Sequence, residues 1–256
     1  MSINFDLISD LYLENLDNFS WADKATSLFC IVAGNISKDH SVLFEFLETV
    51  SQYYEAVFFI DGDLEHEEFD GDFDTSYASI RDHLELMEHV FFMHENIIIL
   101  PDVTLLATNG WTTFEFTSKN SFDDNLTFLE DRNIMSLELT NKIFKLAVTD
   151  QHYMYNSVES CQEMSEVKNV VLVTNSVPTA EFISHDYDYD GTILGDLAGN
   201  SGIAACLKND LKNKISTWIF GKYPGDLDYT INGIRFVSNP AKNKNPDVYY
   251  PKIIKF

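Results

Sequence analysis

The chain has 256 residues and a mass of 29.3 kDa, enough for one large domain or two small ones with a sizeable core. Hydrophobic residues make up 45% of it, which excludes an intrinsically disordered chain. Its 41 acids against 17 bases give a net charge of −24, which repels phosphate backbones and anionic lipid and counts against nucleic acid and membranes as partners.

The elements alternate along the chain. Residues 3–8 form a short strand candidate. Residues 28–33 are a continuous apolar run that stops at Gly34, the pattern of a strand buried on both faces. Val42, Leu43, Phe46, Leu47, Val50 and Tyr54 fall on one helical face and predict a helix over 41–56. Residues 56–60 form the next buried strand and end at Asp61-Gly62. Ile80, Leu84, Met87 and Phe91 predict a helix over 77–93. The stretch 96–117 reads as consecutive strands, and 135–160 as a helix. Residues 170–174 are a third apolar strand, 201–213 a helix, and 217–220 a fourth apolar strand that ends at Gly221. Residues 226–239 and 248–256 add further strands. Strands alternating with helices predict an α/β fold, with a more antiparallel edge beside it.

No linker or internal repeat divides the chain, so a single domain over 1–256 is expected. No run approaches the ~20 apolar residues of a membrane span. The N-terminus carries no basic region or apolar core, so no secretion signal is expected. Cys30, Cys161 and Cys206 form no CxxC pair and suit buried apolar positions in a reducing compartment. A cytoplasmic location follows, or a virion-associated one if the chain is phage-derived. Charge is uneven: residues 1–207 hold 37 acids and 8 bases, a net of −29, while 208–256 hold 4 acids and 9 bases, a net of +5. A basic edge lying against an acidic body within one fold accounts for this. Head-to-tail association, with Lys242, Lys244, Lys252 and Lys255 exposed around an apolar centre of Tyr249, Tyr250 and Phe256, is the alternative.

In open α/β sheets, ligands bind beyond the carboxyl ends of the strands. Those ends read Ser9-Asp10-Leu11-Tyr12, Gly34-Asn35-Ile36-Ser37, Gly62-Asp63-Leu64-Glu65, Thr174-Asn175-Ser176-Val177-Pro178 and Gly221-Lys222-Tyr223-Pro224. In this order they resemble the D-x-H, GD, GNH[DE], T-H-H-x-P and GHxH motifs of the calcineurin-like metallophosphoesterase family. The resemblance runs over almost the whole chain. It includes the strand pair leading to Trp111 and the closing stretch 218–240. It implies a four-layer α/β/β/α sandwich of two mixed sheets with helices outside.

The departures bear on chemistry. The family binds two metal ions that activate a bridging hydroxide. Of the ligand positions that the resemblance implies, Asp10 is kept and Asp63 replaces an Asn. The others become Tyr12, Asn35, Asn175, Lys222 and Pro224, and the proton-donating His becomes Leu64. An ammonium at Lys222, ~4 Å from a divalent ion in an effective dielectric of ~20, would be repelled by roughly 8 kcal/mol. The resemblance therefore implies a degenerate member: a pseudoenzyme without cofactor or bound metal at these positions. Its expected role is protein–protein contact in a homo-oligomer or larger assembly. The competing expectations are a hydrolase using Asp10, Asp63 and Glu65 around one Mg²⁺ or Ca²⁺, and a pocket in which Lys222, Asn35 and Asn175 hold an anion.

Two acidic stretches add candidates. Asp186, Asp188 and Asp190, followed by Gly191 and Ile193, resemble the start of an EF-hand loop, with Leu197 in place of the bidentate Glu and Asp196 as a substitute ligand. Residues 61–74 hold eight acids and His66 and read as a solvated loop. His83, His89 and His94 read as surface histidines.

Overall fold

The computed structural model describes residues 3–15, 20–183, 192–241 and 249–256. In chain order the main elements are β1 (Asn4–Ile8), β2 (Phe29–Ala33), α1 (His40–Ser51), β3 (Ala56–Ile60), α2 (Phe73–Leu84), β4 (Val90–Phe92), β5 (Asn96–Ile99) and β6 (Thr104–Thr108). There follow α3 (Phe122–Asp131), α4 (Leu137–Glu163), β7 (Val170–Thr174), the short α5 (Ala180–Ile183) and α6 (Ile193–Leu197), β8 (Ile215–Phe220), β9 (Leu227–Ile231), β10 (Ile234–Ser238) and β11 (Lys252–Lys255). Turns of 3₁₀ helix cover Leu13–Asn15, Leu64–Phe69 and Ile203–Asn209.

Two mixed sheets result. One has the order β11-β1-β2-β3-β4, parallel except for β11; the other has the order β5-β6-β7-β8-β10-β9, parallel except at its two edges. The period-2 alternation of each strand sorts its side chains into layers. Ile31 and Ala33 of β2 join Phe5, Phe58, Leu105, Val171, Val173 and Ile219 between the sheets. Cys30 and Val32 face the other way, onto Leu43, Phe46 and Leu47 of α1 and Ile80 of α2. Across the second sheet Leu172, Trp218 and Phe220 pack on Met154, Val158 and Cys161 of α4. Both faces of each central strand are covered, which is why these strands are apolar throughout. The layering is the expected α/β/β/α sandwich.

Four expectations about elements are corrected. The helix over 41–56 stops at Ser51, because Ala56 must pair with Phe29 and Tyr54 turns back to donate to Asp6 at 2.9 Å. The helix over 77–93 ends at Leu84, and Val90–Phe92 instead pairs in parallel with Val57–Phe59. Strands end at Thr108 within 96–117. From there the chain is irregular, stitched by side chains: Gly110 and Trp111 donate their amides to Asp150, and Asn200 donates to the carbonyl of Trp111. Residues 201–213 hold a 3₁₀ helix.

The basic C-terminal stretch is built into the sandwich. β11 pairs with β1, Tyr249 is buried, and Phe256 packs its ring 5.8 Å from Phe5. Lys252 pairs with Asp226. Tyr249 is therefore a core group and Phe256 is half-buried against the core, while Tyr250 and, as expected, Lys255 are exposed. Lys242 and Lys244 lie outside the described residues.

Gly34 ends β2 in a left-handed conformation with φ +74°, and a Cβ there would lie 2.8 Å from the amide nitrogen of Gly62. Gly34→Ala is expected to cost about 2–4 kcal/mol, from backbone strain added to a clash with backbone. Urea denaturation checks this, and a loss below 1 kcal/mol would contradict the packing described here.

Candidate functional site

The carboxyl ends of β1, β2, β3, β7 and β8 bring five of the sequence-predicted positions into one hydrogen-bonded cluster. Asp10 donates its amide to the carbonyl of Gly34 at 3.0 Å, and Tyr12 donates to that of Asn35 at 3.1 Å. Asp10, Tyr12, Asn35 and Lys222 all have left-handed backbones, with φ between 49° and 56°. Such strain clusters at the ends of elements that aim side chains into a site.

Asn35 is the hub. Its Nδ2 donates to Asp10 Oδ1 and to Asn175 Oδ1, each at 2.9 Å, and its Oδ1 accepts the amide of Leu64 at 3.2 Å. Asp10 Oδ1 also accepts the amide of Lys222 at 2.8 Å. The Lys222 ammonium reaches across to pair with Asp63, and Asn175 Nδ2 points at the same carboxylate from 3.5 Å. The donors of Asn35, Asn175 and Lys222, named as a possible anion cradle, are thus turned onto the chain's own carboxylates and amide oxygen. Burial pushes the Asp10 carboxyl up to about 6 against the pull of Asn35 and Lys222, and its Oδ2 is buried without a hydrogen-bond partner.

Glu65 is drawn away from this cluster. It is fully buried, and it accepts the amides of Ile36 and Gly62 at 2.6 Å, Asn35 at 3.1 Å and Ser37 at 3.3 Å. It therefore clamps the β2 and β3 ends together and does not complete an oxygen site with Asp10 and Asp63.

Above the cluster opens a cavity of about 680 Å³. Asp10, Asp63, Lys222, Tyr12 and Pro224 line its polar side. Trp111, Ile134, Leu139, Ile143, Leu194 and Leu197 form its apolar wall. Such a volume and mixture of walls is typical of small-molecule pockets.

The sandwich matches the fold of a solved structure. Over 99% of this chain and 96% of the other, it superposes on the phosphopantetheinyl hydrolase of Mycobacterium tuberculosis with a TM-score of 0.67 at 10% identity. The fold is that of the calcineurin-like metallophosphoesterases. A dimetal phosphatase from Danio rerio matches over 99% of this chain and 91% of that one, with a TM-score of 0.49 and 10% identity. No protein-family model and no curated protein matches the sequence.

Behind these strand ends lies a second group of polar residues, of which the sequence reading took His94 and the 61–74 stretch for surface. Residues 61–74 are not a solvated loop at their start: Asp61 and His66 are buried, while Glu67, Glu68, Asp70, Asp72 and Asp74 are exposed. Asp61 Oδ2 accepts from Asn109 at 2.9 Å and Tyr77 at 3.2 Å, and lies 2.9 Å from His66 Nε2. His94 is no surface histidine. Its side chain is 12% exposed, and its Nδ1 lies 3.3 Å from Asp61 Oδ1. Asp150 of α4 accepts the Thr108 hydroxyl and the amides of Gly110 at 2.7 Å and Trp111 at 2.9 Å. The signal for this group was positional: Asp61 follows β3 directly, and His94 sits two residues beyond β4.

Of the acidic EF-hand-like stretch, Asp186, Asp188 and Asp190 lie outside the described residues. Asp196 is buried, and its oxygens accept from Thr117 amide and hydroxyl, at 2.9 and 2.5 Å, and from Asn120 and Asn125, both at 2.9 Å. Four protein donors make it a structural anchor for 112–125, and no calcium role is needed to explain it. Among the described residues, no helix is long and apolar enough to cross a membrane.

Proposed function

We propose that this chain is a non-catalytic protein of metallophosphoesterase fold that acts by binding, as a component of a protein assembly. The observation that carries the reading is the Lys222–Asp63 pair, with the Asn35 amide tied to Asp10 and Asn175 beside it. A dinuclear centre needs anionic and imidazole donors around two cations. Here an ammonium and a carboxamide take those places, Pro224 offers no side-chain donor, and Leu64 has no proton to give a leaving alkoxide. The residues present do not fit the family's metal pair.

The hydrolase reading built on Asp10, Asp63 and Glu65 loses its third ligand to the four backbone amides that Glu65 accepts. Association through the aromatic C-terminus loses support for the same kind of reason, since Tyr249 is buried inside the fold and Phe256 packs against Phe5.

Turnover of p-nitrophenyl phosphate esters with Mn²⁺ is expected to stay at the buffer rate. Any Mn, Fe or Zn that copurifies is expected to be unchanged in Asp10→Asn and Asp63→Asn. Turnover above buffer that falls in Asp63→Asn would overturn the reading. A useful control restores His at 12, 175, 222 and 224 and Asp at 35.

A further inference from the structure

We infer that His94, Glu95 and Asp150 form a binding site for one divalent ion of the zinc class, separate from the family's metal position. One ligand atom from each lies within 4.8 Å of the other two. His94 and Glu95 occupy the turn by which the chain crosses from β4 in one sheet to β5 in the other, and Asp150 projects from α4. An imidazole nitrogen with two carboxylates is a donor set for zinc or manganese, with room for water at a fourth position.

Three further features point to a cation. Asp61 is fully buried, and its Oδ1 faces His94 Nδ1 at 3.3 Å but out of line, so that neither atom has a true hydrogen bond. With Nδ1 turned to the carboxylate, Nε2 would be the nitrogen left for an ion, the carboxylate–histidine–metal arrangement that fixes the tautomer of a ligating histidine. Second, the acids outnumber the bases: Asp61, Asp150 and Glu95 stand beside two imidazoles, His94 and His66, and a divalent ion would supply the missing positive charge. Third, the ligands are unequal in freedom. Asp150 is held by three donors, with Oδ1 using only one of its two acceptor directions, whereas Glu95 is exposed and free to close on the ion.

The test is calorimetric titration of the untagged, chelator-stripped full chain with ZnCl₂, and with MgCl₂ as a hard-ion control. One equivalent of Zn²⁺ is expected, at least tenfold tighter than Mg²⁺. Glu95→Gln, at an exposed position, is expected to weaken it tenfold or more while leaving the melting temperature of the metal-free chain unchanged. His94→Gln is expected to do the same to binding, and Asp63→Asn to leave it intact. Absence of binding, or binding that survives both Glu95→Gln and His94→Gln, overturns this site and leaves the proposed function standing. Binding lost in Asp63→Asn but kept in Glu95→Gln would place the ion at the family's position and overturn both.

Discussion

Glu65→Ala is expected to cost about 4 kcal/mol, the largest loss of any single side chain near the strand ends. The carboxylate accepts amides from Asn35, Ile36 and Ser37 beyond β2 and from Gly62 beyond β3. Alanine would leave those donors buried without partners, and each buried orphan costs about 1–3 kcal/mol before relaxation or entering water reduces the sum. Glu65→Gln keeps one acceptor oxygen and is expected to cost about half as much. Glu67→Ala, on the exposed side of the same 3₁₀ turn, is expected to stay within about 0.5 kcal/mol. Urea denaturation reads all three. Equal effects at 65 and 67 would refute the clamp.

Stability is expected to be greatest near pH 4 and to fall by several kcal/mol towards pH 8. Burial raises Asp10 and Asp150 to about 6 and Glu65 to about 7. An acid whose folded value lies above its unfolded one takes up a proton on folding. Its contribution is complete below the unfolded value, near 4, and is lost as pH rises through the folded one. His94 follows the same sign. Burial alone would lower it, but Asp61 more than reverses this and holds it up at about 8, so its contribution is lost as pH rises past 8. A shift of two units is worth about 3 kcal/mol. The net charge of −24 adds repulsion in the same direction. On the acid side, His94 and His66 hold Asp61 far below the usual carboxylate range despite its burial, so its contribution disappears as pH falls towards that depressed value. Thermal melts of the chelator-stripped chain across pH 4–9 should show Tm about 10 °C lower at pH 8 than at pH 5. A flat profile, or one that rises to pH 8, would contradict these assignments.

The central strands were legible because burial on both faces writes itself as an uninterrupted apolar run. Ala56–Ile60 and Val170–Thr174 have the predicted bounds to the residue. Elements closed by tertiary pairing were not. Val90–Phe92 continues the helical period of Ile80 and Leu84, and only its pairing with Val57–Phe59 makes it a strand. The same division holds in the site. Motif order placed Asp10, Asn35, Asp63, Asn175 and Lys222 together, because strand order carries each to the same edge of the sandwich. The pairing of Lys222 with Asp63, the redirection of Glu65 to backbone amides, and the burial of His94 beside Asp61 each join segments from different strands and loops. No local pattern encodes such contacts. Charge density also misled: an acid-rich stretch reads as solvated, yet Asp61, Glu65 and Asp196 are buried, Glu65 and Asp196 because protein donors replace water at both oxygens, and Asp61 because donors meet its Oδ2.

The Lys222 ammonium beside Asp63 changes how this corner of the fold depends on its surroundings. A centre held by a soluble ion gains stability with the free concentration of that ion, and loses it to any chelator that competes. A cation on a side chain is delivered in fixed stoichiometry with every copy synthesised. It cannot dissociate, and it is insensitive to scarcity. On the proposed reading, the junction of β1, β2, β3 and β8 is expected to close at the same strength in metal-rich and metal-starved conditions.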